Sequence, residues 1–175
     1  MRRTAYVWLS LLAALCVQVR PAFGSYQNIT NDAFYMTTGT TPIYTQGGGI
    51  SKFGNTYYWY GIQYAQMATY YASPTAANAD GSSKFTAINC YSSTDMVHWT
   101  FQNKVISTST PGFTSAAQVG WVGRMGQVVY NSADNQYVFW CQYTGTGGSG
   151  QACCTGTSPT GNFVLNNVQT SISNV

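Results

Sequence analysis

An all-β chain assembled from repeated four-stranded antiparallel units is what the sequence predicts, and three observations carry that prediction. Helix formers are nearly missing: the 175 residues contain no glutamate, and beyond residue 24 the only leucine is Leu165. Short aromatic and β-branched runs alternate with Gly/Asn turn signals, in a chain that is 15% aromatic and only 6% charged. One order of turn, aromatic strand, small-residue strand and Trp/Phe then occurs twice.

The first 24 residues stand apart. Met1-Arg2-Arg3 is basic, Ala5 to Val17 is apolar, and Ala22-Phe23-Gly24 places small residues where a signal peptidase reads them. Residues 1–24 are expected to be a secretory signal peptide and residues 25–175 a partial propeller-type domain that is secreted, extracellular or periplasmic. The apolar run is shorter than the ~18 to 20 residues that span a bilayer, and no later run approaches that length, so no membrane partner is expected after cleavage. Beyond the leader, Lys52, Lys84, Lys104 and Arg124 balance Asp32, Asp80, Asp95 and Asp134, four against four, for a net charge of zero. A neutral chain has no electrostatic means of holding nucleic acid or anionic lipid, and its ligands should be uncharged.

Cys16 lies in the leader, which leaves Cys90, Cys141, Cys153 and Cys154, an even number suited to an oxidising compartment. A bridge across the Gly-rich turn from Cys141 to Cys153 or Cys154 is expected, with Cys90 pairing the remainder. Neither this spacing nor the lone His98 makes a zinc site, and no metal or cofactor is expected. Asn28-Ile29-Thr30 is a glycosylation sequon, usable in a eukaryotic host.

In chain order, Gly49 to Phe53, the Gly54-Asn55 turn and the aromatic run Thr56 to Gly61 predict a hairpin. A polar stretch from Gln63 to Lys84 reads as a long loop of the kind that lines a ligand face. Phe85 to Ser93 predicts a third strand, Ser93-Thr94-Asp95 a turn, and Trp99 to Phe101 with Val105-Ile106 the outermost strand. The order then returns. Arg124 to Tyr130 matches the first strand, Asn131 to Asn135 the turn, Gln136 to Cys141 the aromatic strand, and Gln151 to Phe163 the segment Ala87 to Trp99. Two copies of a four-stranded antiparallel unit predict β-propeller blades, blade I over about 42–107 and blade II over about 121–170. A sandwich would not predict this repeated order.

Gly47-Gly48-Gly49-Ile50, the run Phe53 to Gly61, Cys90 to Phe101 with its Tyr-Ser-Ser-x-Asp-x-x-x-Trp element, and Ser158 to Phe163 together resemble the first two blades of glycoside hydrolase family 43, nearest its exo-β-1,3-galactanase-like branch. The resemblance covers about Thr41 to Leu165. It implies an incomplete five-bladed propeller whose central funnel takes neutral plant-type or arabinogalactan-type polysaccharide, β-galactan first, or oligosaccharides of it. It also implies a general acid, a Glu of a later blade, which this sequence lacks. The chain stops at Ser173-Asn174-Val175, soon after the second outer strand begins, so the expectation is a truncated hydrolase, inactive alone, or else a non-catalytic sugar-binding propeller piece. A structural surface protein would fit the Tyr/Gly/Thr content but not the repeat.

Glycoside hydrolysis needs two carboxyl groups across the scissile bond. The four aspartates do not present a pair: Asp95, Asp134 and Asp80 read as turn residues, and Asp32 precedes the first blade, so the catalytic residues stay unknown. Inner strands of a propeller begin at the funnel, at Thr45-Gln46-Gly47 and Trp121-Val122-Gly123-Arg124. By the resemblance, Gln46 stands where many relatives carry the base aspartate, and Arg124 would either orient a sugar hydroxyl or a carboxylate or else bridge blades. Aromatic faces stack on sugar rings, which adds Trp59, Tyr60 and Trp121 to Gln46 and Arg124 as substrate-binding candidates, with Tyr64 and Tyr143 behind them. Packing between blades is the competing role for these rings, and Tyr70 and Tyr71 in the long loop are expected to be exposed.

Overall fold

The structure, a computed structural model, describes residues 33–74, 84–114, 121–145 and 148–171. Two antiparallel sheets make up the fold. The first runs in simple order through β1 (Gln46–Phe53), β2 (Thr56–Tyr64), β3 (Phe85–Ser93) and β4 (Thr100–Ser107). The second places β5 (Trp121–Gly123) and β6 (Val129–Asn131) side by side along β7 (Gln136–Gly145), followed by β8 (Gly148–Gly156) and β9 (Val164–Gln169). The all-β prediction and the four-stranded unit are both present.

Residue choice explains the strands. The β1–β2 turn is made by Gly54 at φ +60°, a left-handed value that glycine takes without strain, and it sets Phe53 opposite Thr56. The alternation of β2 then sends Tyr58, Tyr60, Ile62 and Tyr64 toward the second sheet and Tyr57 and Trp59 the other way. In β7 the residues that meet the first sheet are Phe139, Cys141 and Tyr143. The continuous core therefore lies between the sheets, where Tyr60, Ile62, Ile88 and Ile106 meet Val122, Phe139, Tyr143 and Phe163, all buried. Burial of apolar area at this junction is the main stabilising term.

The flank of the first sheet facing away from the second is also covered. Ile43, Tyr91 and Trp99 form a smaller cluster with Ile50, Tyr57 and Trp59, and the segment from Phe34 to Tyr44 lies across it. Thr38 N–H donates to Trp99 O at 2.9 Å, and Tyr35 meets the Trp59 ring edge-on at 5.5 Å. The opposite flank of the second sheet has no such cover among the described residues: Val129, Trp140 and Val164 are exposed there.

Four expectations are corrected. The long loop contains a short helix, α1 (Met67–Ala72), whose neck is closed by Ala65 N–H donating to Lys84 O. The expected first strand of the second repeat is split, because Arg124 takes a left-handed φ of +41° and Gly126 N–H turns to Trp140 O, so Arg124 to Val128 leaves the ladder. Trp59, whose competing role was packing between blades, belongs with Tyr57 to the outer cluster of its own sheet and not to the core between the sheets. Lastly, Cys90, Cys141, Cys153 and Cys154 are free thiols. Cys141 is opposite Ala152 and Cys154 opposite Phe139, a diagonal pair on one buried face whose thiols are in contact but not bonded, while Cys153 is opposite Trp140 and Cys90 is in the other sheet. The leader, the sequon, Asp32 and Asp80 lie outside the described residues.

Candidate functional site

The inner strands of the two sheets meet along a seam. Ser51 Oγ donates to Val128 O at 2.6 Å and ties β1 to the irregular segment that follows β5. Toward the start of β1 the seam is lined by glycine. A Cβ on Gly47 would stand 3.6 Å from Arg124 N, and one on Gly49 would stand 3.0 Å from Gln127 Cγ. Gly48 has no room at all, since its Cβ would fall 1.8 Å from Tyr60 O, and the register slips between Gln46 and Gly49 as the strand bulges there. The result is a strip of bare backbone bordered by the exposed side chains of Gln46, Arg124 and Gln127. All three are hydrogen-bonding groups, two of them amides that both donate and accept.

Gln46 and Arg124 were candidates from the sequence, and the fold brings their segments together. Gln127 was not. Its signal is the absence of a Cβ on Gly49, a pairing across 78 positions of sequence that no local pattern reveals. Trp121 starts β5, paired with Thr144.

The aromatic candidates are placed elsewhere. Tyr60 is fully buried and donates to Pro159 O at 2.6 Å, with burial foremost among the causes that push its phenol up. Tyr64 and Tyr143 are buried too and give their hydroxyls to Val122 O and Gly112 O. These three phenols are core residues that satisfy main-chain carbonyls, as buried hydroxyls must. Trp59 is half-buried between the rings of Tyr35 and Trp99. Alternation alone could not say which of two adjacent rings on β2 would face which neighbour.

The described carboxylates lie at the other end of the sheets. Asp95 accepts from Ser93 Oγ, Val97 N–H, His98 N–H and the His98 ring, whose Nδ1 stands 2.6 Å away. The His98 contact leads the causes that hold its carboxyl well below the usual range. Ser93 and His98 both bind the carboxylate rather than each other, which is turn geometry and not a nucleophile with its base. Asp134 caps its own turn through Asn131 Nδ2 at 2.7 Å. Since Ser93 pairs with Tyr57 beside the β1–β2 turn, Asp95 sits a full strand away from Gln46, about 20 Å at ~3.3 Å per residue. Among the described residues no three His, Cys, Asp or Glu side chains group to hold a metal ion, and no helix is long and apolar enough to cross a membrane.

Two four-stranded-type antiparallel sheets in successive blade packing, with inner strands meeting at a polar seam, define a propeller piece. Solved structures of this fold come from glycoside hydrolase family 43. An exo-β-1,3-galactanase from Clostridium thermocellum is 25% identical with a TM-score of 0.61, the match covering 79% of this chain and 27% of that one. One from Phanerochaete chrysosporium, solved with β-1,3-galactotriose, is 25% identical with a TM-score of 0.60, covering 78% of this chain and 28% of its own. A GH43 β-1,3-galactosidase solved with galactodeoxynojirimycin has a TM-score of 0.57 at 24% identity, which speaks to the fold. No family model matches the sequence, and no curated protein does. This chain therefore spans under a third of the length of the two galactanases.

Proposed function

We propose that the seam at the start of the inner strands binds a neutral oligosaccharide of the β-galactan type, and that this chain on its own binds without hydrolysing. The observation that carries the reading is the bare strip from Gly47 to Gly49 beside Gln46, Arg124 and Gln127. Backbone without side chains lets a sugar ring approach closely, and uncharged amides with one guanidinium suit hydroxyl groups, which both donate and accept. The galactanase likeness, with β-1,3-galactotriose in one of those proteins, supports the choice of sugar.

The absence of hydrolysis follows from the acids. A glycosidase holds two carboxyl groups within about 5 to 10 Å of each other across the bond. The chain has no glutamate, and the two described aspartates are committed to turns at the far end of the strands. Export through the leader at 1–24 belongs to the same proposal, since a polysaccharide substrate is met outside the cell.

Affinity electrophoresis of the purified chain in gels containing β-1,3-galactan tests the reading. Retarded migration is expected, with at least tenfold weaker retention for Arg124→Gly, which keeps the left-handed backbone and removes a charged hydrogen bond worth about 1.5 to 3 kcal/mol. Unchanged migration of the wild type would end the sugar reading, and release of galactose by the chain alone would end the non-catalytic one.

A further inference from the structure

The loop that carries α1 emerges from the same end of the sheet as the seam. Tyr64 closes β2, Gln46 is opposite Ile62, and Tyr44 lies two residues before Gln46. The loop rings of Tyr70 and Tyr71 pack as a unit with those of Phe34 and Tyr44 from the segment before β1. Phe34 stacks on Tyr71 at 4.0 Å, Tyr44 meets Tyr71 edge-on at 5.0 Å, and Tyr70 stands against both Phe34 at 5.5 Å and Tyr71 at 6.5 Å. Tyr71 is anchored by its hydroxyl, which donates to Ile43 O, and burial pushes its pKa up to about 12. Tyr70 alone of the two helix tyrosines is exposed, at 42%.

We propose that Tyr70 is an aromatic platform for a pyranose unit of the glycan, lying beside the seam and outside it. The inference rests on the sugar reading above and extends it to a second contact. A six-residue helix without side-chain capping has little stability of its own, so its place is set by the ring packing beneath it. That packing holds the Tyr70 ring in edge-on contact with Phe34 and Tyr71 while the residue stays exposed. An aromatic ring held in this way loses little conformational freedom when a sugar stacks on it, and the apolar C–H face of galactose matches the ring. A ligand long enough to leave the seam toward β2 would meet it.

The test compares β-1,3-galactotriose with a longer β-1,3-galactan for the wild type, Tyr70→Ala and Tyr70→Phe by isothermal titration calorimetry. Tyr70→Ala should bind the longer galactan roughly tenfold more weakly while Tyr70→Phe stays within about twofold, as ring stacking requires. Equal affinity for Tyr70→Ala and wild type would overturn the platform and leave the seam reading intact; no binding by the wild type would overturn the seam reading first. A second measurement keeps the question open to refutation should Tyr70→Ala fold poorly. Nitration of Tyr70 by tetranitromethane in the wild type should slow when galactan is present, and an unchanged rate at saturating galactan would sink the proposal.

Discussion

Arg124 combines a left-handed φ of +41° with a place on the seam. A non-glycine residue there stores about 1 kcal/mol or more of backbone strain, and such strain is kept where the side chain is used. Arg124→Gly relieves that strain but gives up the side chain's contacts and loosens the unfolded chain, so it should stay within about 1 kcal/mol of wild type in urea unfolding while losing sugar retention at least tenfold. Asp95 behaves differently. Its carboxyl is held below the ordinary 3.8 by His98, Val97 and Ser93, so its contribution to stability is fully present above that value and is lost as pH falls through the lower folded value. Melting curves between pH 2 and pH 7 should show Asp95→Asn less stable at neutrality and with a shallower acid decline. The thiols divide in the same manner. Cys153 is half-buried, whereas Cys90, Cys141 and Cys154 are buried and the Cys90 thiol is pushed up to about 12 by burial. Ellman titration of the native protein should find Cys153 reacting first and the other three only after unfolding.

At the level of elements, the close approach of β1 to β2 sets tight limits. A Cβ on Gly61 would fall 2.3 Å from the Thr45 backbone, so Gly61→Ala should cost roughly 1 to 3 kcal/mol or more in chemical denaturation. The hairpin at Gly54-Asn55 and the full span of β3 were legible because each is written locally, in turn chemistry and period-two alternation. What escaped was decided at a distance. The split between β5 and β6 depends on Gly126 bonding across to Trp140 O, and α1 depends on Phe34 and Tyr44 reaching it from 30 or so positions upstream. The site divides along the same line. Gln46 and Arg124 were candidates because strand starts converge by topology, Gln127 was not because its neighbour is a missing Cβ, and Tyr60, which is buried, was one because alternation does not name the face that packs on the second sheet.

For the whole molecule, the two flanks differ in finish. Trp140, at 44% exposure, with Val129 and Val164, gives the second sheet an apolar outer surface that invites association. Light scattering should report growth in mean mass with concentration, reduced by Trp140→Lys; a strictly monomeric wild type at high concentration would contradict this. The first sheet differs in that residues from Phe34 to Tyr44 lie on it and hold Trp59 and Trp99 from outside, with Tyr35, Met36 and Phe101 exposed on that cover and beside it. That strap gives the stack a direction. A third sheet could settle on the Trp140 side against strands, whereas one arriving from the other side would meet Tyr35 and Met36 and would have to peel them away before touching β2. Among the described residues the stack has, in effect, one strapped end and one open end, and the polar seam lies between its two sheets.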